Sequence, residues 1–454
     1  MQAIRLKTEH LFDPIGVDFT APRLYWNCDG GKKQTAYQIV AADDSGSVLW
    51  DSGRVESAAM CVKWGGTPMP PKTKVLWKVR LWDEENAAGD WSKASFETGI
   101  GAWSAKWVTG DYKVNKKERY PVDCFRKDFH TTNVKKARLY ITACGLYEAS
   151  LNGQRVGDFV RAPGITDYRK RVQYQTYDVT TMLQKGENTL TVQLADGWYR
   201  GSCGAWGLKN QYGTETKLLA QLELTHADGN VQTIVTDESW DWSNDGSIRF
   251  ADNKDGEEVN AQKEPSYSGK AKITNHPVTP TASNNVPVTE HERLKPVCIT
   301  TPSGKTVLDF GQNIAGYAEF TVAAHAGQTL KLRFGELLDA DGEFTQKNIQ
   351  CSNKSITTPL QQVVYTCREG ENHYKTTFAI FGFQYILVET EVPFQPEDFT
   401  AIAVCRTSLQ APRQSLSPAL PAPWDRRRSS SCWHAAPASR CVCWRVPAIK
   451  TAPC

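Results

Sequence analysis

Apolar residues in this chain alternate with polar ones over short runs, and Gly, Pro, Asn and Asp interrupt the runs before a helical period is established. A period of two puts the apolar residues of each run on one face, so such a chain folds into stacked antiparallel sheets. Val75, Trp77, Val79 and Leu81 share a face in one run, and Leu218, Ala220, Leu222 and Leu224 in another, with more polar residues opposite. Asp228-Gly229-Asn230 and Asp341-Gly342-Glu343 read as turns between neighbouring strands. The expected fold class is mainly β: tandem β-sandwich or jelly-roll domains with a disordered C-terminal tail.

A chain of 454 residues exceeds what one core organises. The β-rich runs from Pro22 to Gly99 fill one sandwich domain, and further blocks extend over 101–286 and 287–404. Between the last two, Ser268–Glu290 is the most linker-like stretch. Residues 405–454 have a different character, rich in Pro, Ser and Arg with no strand or helix period, and are expected to be disordered. Their abundance of Cys and Trp is unusual for disorder and suggests an out-of-frame end. From Arg406 onward the charge is +7, which leaves −4 for residues 1–405 out of a total of +3. A mildly acidic body has no general attraction for nucleic acid.

Thirteen cysteines without close pairing before the tail suit reduced thiols better than a disulfide framework. No stretch reaches the ~18 to 20 consecutive apolar residues of a membrane helix, and Met1–His10 has no apolar signal core, so a soluble cytoplasmic protein is expected. No Gly-x-Gly-x-x-Gly motif follows a strand, no Walker ending occurs and no Gly-x-Ser-x-Gly elbow is present, which excludes the corresponding nucleotide and triad chemistries.

Gly145-Leu-Tyr-Glu-Ala-Ser-Leu-Asn-Gly-Gln-Arg-Val-Gly157, Thr166-Asp-Tyr-Arg-Lys-Arg-Val-Gln-Tyr-Gln-Thr-Tyr-Asp178 and Asp196-Gly-Trp-Tyr-Arg-Gly201 follow one another in the middle block. They closely resemble bacterial α-L-rhamnosidases, family 78 of the glycoside hydrolases. Leu308–Tyr317, Leu332–Leu338 and Phe381–Val388 are similar to that family's concanavalin-like sandwich domain. The resemblance implies a fibronectin type III-like domain over 1–100, a galactose-binding-like sandwich over 101–286 and the concanavalin-like one over 287–404. It also implies an (α/α)6 barrel bearing two inverting carboxylates, for which these residues have no matching positions. The expected function is therefore the non-catalytic β portion of an α-L-rhamnosidase, inactive by itself, or alternatively a stand-alone lectin-like protein that binds rhamnose. The partner expected is an L-rhamnose-containing glycan or glycoside, with neither nucleic acid nor membrane.

The β domains themselves lack the Glu-x-Asp-x-Glu strand of sandwich glucanases. Glu389 and Glu391 read as solvated acids at a strand end, Glu290 and Glu292 lie beside linker sequence, and Asp339, Asp341 and Glu343 surround a turn. A carbohydrate surface is the better candidate: Asp196, Trp198, Tyr199, Trp206 and Tyr212 fall in one Gly-rich stretch, where rings stack on sugar C–H faces while carboxylates and amides hold hydroxyls. The competing reading makes Trp198 and Tyr199 core residues at a strand end. Asp252, Asn253, Asp255, Glu257 and Glu258 form an oxygen-rich loop, and Asp252 and Asn253 are counted among the candidate sugar-binding residues. Such a loop either holds calcium or is a solvated turn; otherwise no cofactor is implied.

Overall fold

A computed structural model describes residues 1–115, 117–203, 208–351 and 358–406. The tail expected from 405 starts two residues too early, because Cys405 and Arg406 end strand Phe399–Arg406; the rest of it lies outside the described residues.

Alternation does place the strands. Val75, Trp77, Val79 and Leu81 are all buried in strand Lys74–Trp82, which pairs with Ala36–Asp43 and Ser92–Thr98 in one sheet of the first domain. Gln2–Thr8, Arg23–Asp29 and Cys61–Lys63 form the facing sheet. Leu24, Trp26, Ile39 and Phe96 complete the core between them.

In the second domain Lys217–His226 and Val134–Cys144 centre a seven-stranded sheet, while Gly186–Ala195 and Asp123–Thr131 centre a six-stranded one. Leu218, Ala220, Leu222 and Leu224 point into the core between the sheets. The opposite face is less polar in its surroundings than the alternation suggests: Leu219 and Gln221 are also buried, Leu219 beside Trp107, and Gln221 accepts the Ser104 N–H at 2.8 Å. Asp228–Asn230 makes the expected turn, with Gly229 at φ +90°.

A ten-stranded sheet built on Thr306–Ala324 and Phe381–Thr390 forms the third domain. Pairing between these strands breaks between Asp309 and Ile314, where Gly311 takes φ +77° and donates its N–H to Asp309. The side-chain bond of this bend thus comes from Asp309. Cys28, Cys61, Cys124, Cys144, Cys203, Cys298, Cys351 and Cys367 are free thiols, and among the described residues no helix is long and apolar enough to cross a membrane.

Two features depart from the sequence reading. Ser268–Glu290 is no linker: Gly269–Lys270, Lys272–Ile273 and Thr281–Ala282 add edge strands to the second domain, and Val288–Leu294 pairs with Phe399–Arg406. Edge strands exposed on one side need few apolar residues, so their composition mimics a loop. Conversely, Ile248–Asp252 and Gly256–Asn260 join the ten-stranded sheet, the latter running parallel to Gln362–Thr366.

The first and second domains meet through a buried polar joint. Glu97 accepts from Arg138 Nε at 3.0 Å and Nη2 at 2.9 Å, and pairs with Lys136 at 3.2 Å. Beside it the Tyr174 hydroxyl donates to Asp18 at 2.6 Å and accepts from the Ile100 N–H. Gly99 lies so close that a Cβ there would stand 2.0 Å from Asp18 Oδ1 and 2.2 Å from the Tyr174 hydroxyl. Gly99→Ala is therefore expected to cost about 1 to 3 kcal/mol through overpacking, read as a lower midpoint in urea. An unchanged midpoint would show that the joint yields freely.

Candidate functional site

Strand Gly186–Ala195 delivers Asp196 to a single helical turn, Gly197–Arg200. Gly197 sits at φ +52°, with no room for a Cβ beside Leu146. The turn aims Asp196 and Arg200 at each other, and Asp196 Oδ1 accepts from Arg200 Nε at 2.7 Å. Burial pushes the Asp196 carboxyl up, against the pull of the guanidinium. Arg200 also reaches the hydroxyl of Tyr112, which donates to Asp123 at 3.4 Å. Asp123 further accepts from Thr216 at 2.6 Å and from Trp242 Nε1 at 3.0 Å. The result is a buried ionic network in which both carboxylates are held by donors of the chain itself.

Tyr199 is buried, edge-on to Tyr168 at 5.2 Å between centroids, and Tyr212 meets the same ring at 5.1 Å. Trp198 is half-buried and bridges two apolar clusters, one around Trp107 and Leu219, the other around Leu146, Ile248 and Phe378. Trp206 lies outside the described residues.

The structure brings Asp252 and Asn253 to this turn. Asp252 accepts the Ser202 N–H at 2.7 Å through one oxygen and the Lys254 and Asp255 N–H groups through the other. The Asn253 amide, in its better orientation, donates to the Gly197 carbonyl and accepts from Trp198 Nε1, each at 3.0 Å. Asp196, Trp198, Tyr199, Asp252 and Asn253 thus converge, with Tyr212 at the margin. The recess beside Asp196 and Arg200 encloses about 10 Å³, the lower limit for one water and far short of a sugar ring.

Neither sequence reading of the acidic loop describes its surroundings. It is no solvated turn: Asp252, Asn253, Asp255 and Glu257 are all buried, because the hairpin is clasped by the third domain. Nor do the acids gather. Asp255 accepts from the Thr358 hydroxyl and the Leu360 N–H, while Glu258 pairs with Arg119. Glu257 takes the N–H groups of Thr377, Phe378 and Ala379 and the hydroxyl of Tyr374. Among the described residues no three His, Cys, Asp or Glu side chains converge as metal ligands would.

Among the other acids, Glu389 pairs with Lys331, Glu290 with Lys375 and Tyr317, and Glu292 with Gln312. Asp339 caps its turn through the Asp341 and Glu343 N–H groups. Sequence reasoning missed Arg161, Asp123 and Tyr168, which border or complete the cluster; Tyr168 lies in the Thr166–Asp178 motif, while nothing in the local sequence sets Arg161 and Asp123 apart.

Three family models match in sequence: the Rha78A-like N-terminal immunoglobulin domain over residues 3–102, the alpha-L-rhamnosidase N-terminal domain over 132–301, and the bacterial alpha-L-rhamnosidase concanavalin-like domain over 299–405. The first is an immunoglobulin domain where the sequence resemblance implies a fibronectin type III-like one. Together with the folded sandwiches, they define the β portion of a glycoside hydrolase. The chain belongs to the α-L-rhamnosidases, family 78 of those enzymes, and corresponds to their amino-terminal region. It is 31% identical to an alpha-L-rhamnosidase of Formosa agariphila over 84% of this chain and 44% of the relative. Its identity to one of an Alteromonas species is 30%, over 85% and 45%. Among solved structures, the Aspergillus terreus enzyme superposes with a TM-score of 0.82 at 30% identity, covering 89% of this chain and 49% of that one. The Streptomyces avermitilis enzyme complexed with L-rhamnose gives 0.80 at 26%, covering 89% and 57%. The chain spans about half the length of the relatives it matches.

Proposed function

We propose that this chain provides the β framework of an enzyme that removes terminal α-L-rhamnose from glycosides, and that its own domains perform no hydrolysis. One observation carries the reading: the acids at the best candidate site, Asp196, Asp252, Asp255 and Glu257, are occupied by donors of the chain itself. An inverting glycosidase needs a protonated and an ionised carboxyl about 6.5 to 9.5 Å apart, with a water and a sugar between them. Carboxylates sealed among their own donors offer no such gap. Purified protein is accordingly expected to release no rhamnose from an aryl rhamnoside, and turnover above a mock preparation refutes the reading. A chimera in which an (α/α)6 catalytic barrel follows Val404 should release it.

A second reading, a stand-alone protein that binds L-rhamnose, is favoured by the half-buried state of Trp198 and Tyr212, whose rings keep some surface for a sugar face. The L-rhamnose complex of the Streptomyces avermitilis relative lends it support. Calorimetry with L-rhamnose, with and without calcium, separates the two: absence of heat under both conditions leaves the framework reading alone.

A further inference from the structure

Arg161 carries a charge that the chain leaves unanswered. Arg138, Arg155 and Arg200 each meet a carboxylate within 3 Å. Arg161, on the surface of the same domain and half-buried, forms no ion pair among the described residues. Its Nε is buried without a hydrogen-bond partner, whereas its terminal nitrogens are not sealed from solvent. The guanidinium lies over the Trp198 ring, 4.1 Å from the centroid. The backbone is held at φ +62°, a region that a long side chain seldom occupies without a structural or functional demand. Asp252, the nearest acid in the electrostatic surroundings, already spends both oxygens on backbone N–H groups. Burial without a full counter-charge pushes the guanidinium down to about 10.

A planar guanidinium resting on an aromatic face takes a carboxylate through two parallel hydrogen bonds. Trp198 is half-buried beneath that guanidinium, and an indole beside the fork offers a pyranose an apolar partner while an exocyclic carboxylate reaches Arg161. Uronic acids combine both parts in one ring. We propose that Arg161 and Trp198 form a receptor for the carboxylate of a uronic acid residue, which directs this domain to acidic, uronate-containing glycans. The choice of a sugar ring rests on the carbohydrate reading above, and the choice of a carboxylate rests on Arg161.

The test is calorimetric titration of the whole 454-residue protein with D-glucuronate, D-glucose, L-rhamnose and acetate. Glucuronate should bind with a Kd of about 0.1 to 1 mM, as a single small ring allows, and the other three at least about tenfold more weakly. Arg161→Gln should lose glucuronate binding at least about tenfold while melting no earlier than the parent, because it removes an unpaired buried charge. Arg161→Lys keeps the charge without the fork and should lose about fivefold. No heat from glucuronate up to about 20 mM overturns the proposal. So does undiminished binding by Arg161→Gln, or acetate binding as tightly as glucuronate, which would mean a bare carboxylate trap. If Arg161→Gln melts early, Arg161→Lys decides, and unchanged affinity there overturns the proposal. Hydrolysis of an aryl rhamnoside would refute the framework reading without altering any arm of this titration.

Discussion

Replacing Glu257 by Ala is expected to destabilise the third domain by about 3 to 5 kcal/mol, the cost of breaking a buried charge site that its surroundings cannot repair. The Glu257 carboxylate collects the Thr377, Phe378 and Ala379 N–H groups and the Tyr374 hydroxyl, and Glu257, Phe378 and Ala379 are all buried. Truncation leaves several donors orphaned in a dry interior. Glu257→Gln keeps one acceptor oxygen but turns an amide NH2 toward N–H groups, so its loss should be smaller though still measurable. Chemical denaturation of the three proteins checks the order, and an alanine variant within about 0.5 kcal/mol of the parent would mean that water or a rearranged loop satisfies the donors.

Glu97→Ala should cost about 3 kcal/mol or more, because Arg138 then stays buried with only Asp178 to answer it. Arg138→Ala alone strands Glu97 with Lys136 and should cost a similar amount. Removing both, as Glu97→Leu with Arg138→Met, is expected to recover much of the loss, since no unpaired charge remains. The double-mutant cycle reads the coupling directly. Limited proteolysis gives a second view: the single variants should become cleavable near Gly99–Gly101, where the first domain hands over to the second, and the double variant should not.

What the sequence made legible follows from what a period of two encodes. Trp77 and Leu222 are core residues because their strands alternate, and Gly229 turns the chain where Asp and Asn flank it. The motif Asp196–Gly201 folds as one turn, and Asp196, Trp198 and Tyr199 converge there with Asp252 and Asn253. Its chemistry was not legible. Whether an acid faces solvent or a backbone N–H depends on what packs over it, and the donors to Glu257 come from residues more than a hundred positions away. The polar stretch 268–290 misled for a related reason, because edge strands carry the composition of loops. Arg161 resembles any other arginine until the absence of a partner in space is seen.

The parallel pairing of Gly256–Asn260 with Gln362–Thr366 ties the order of folding to the order of synthesis. This hairpin emerges from the ribosome on the order of a hundred residues before the strand it needs, and closing a loop of that size carries an entropic penalty that only later contacts offset. Until then its open edge is a template for wrong partners. The hairpin therefore matures apart from the second domain whose strands flank it in sequence: both sheets of that domain are complete by Ala282, while the hairpin waits for the third.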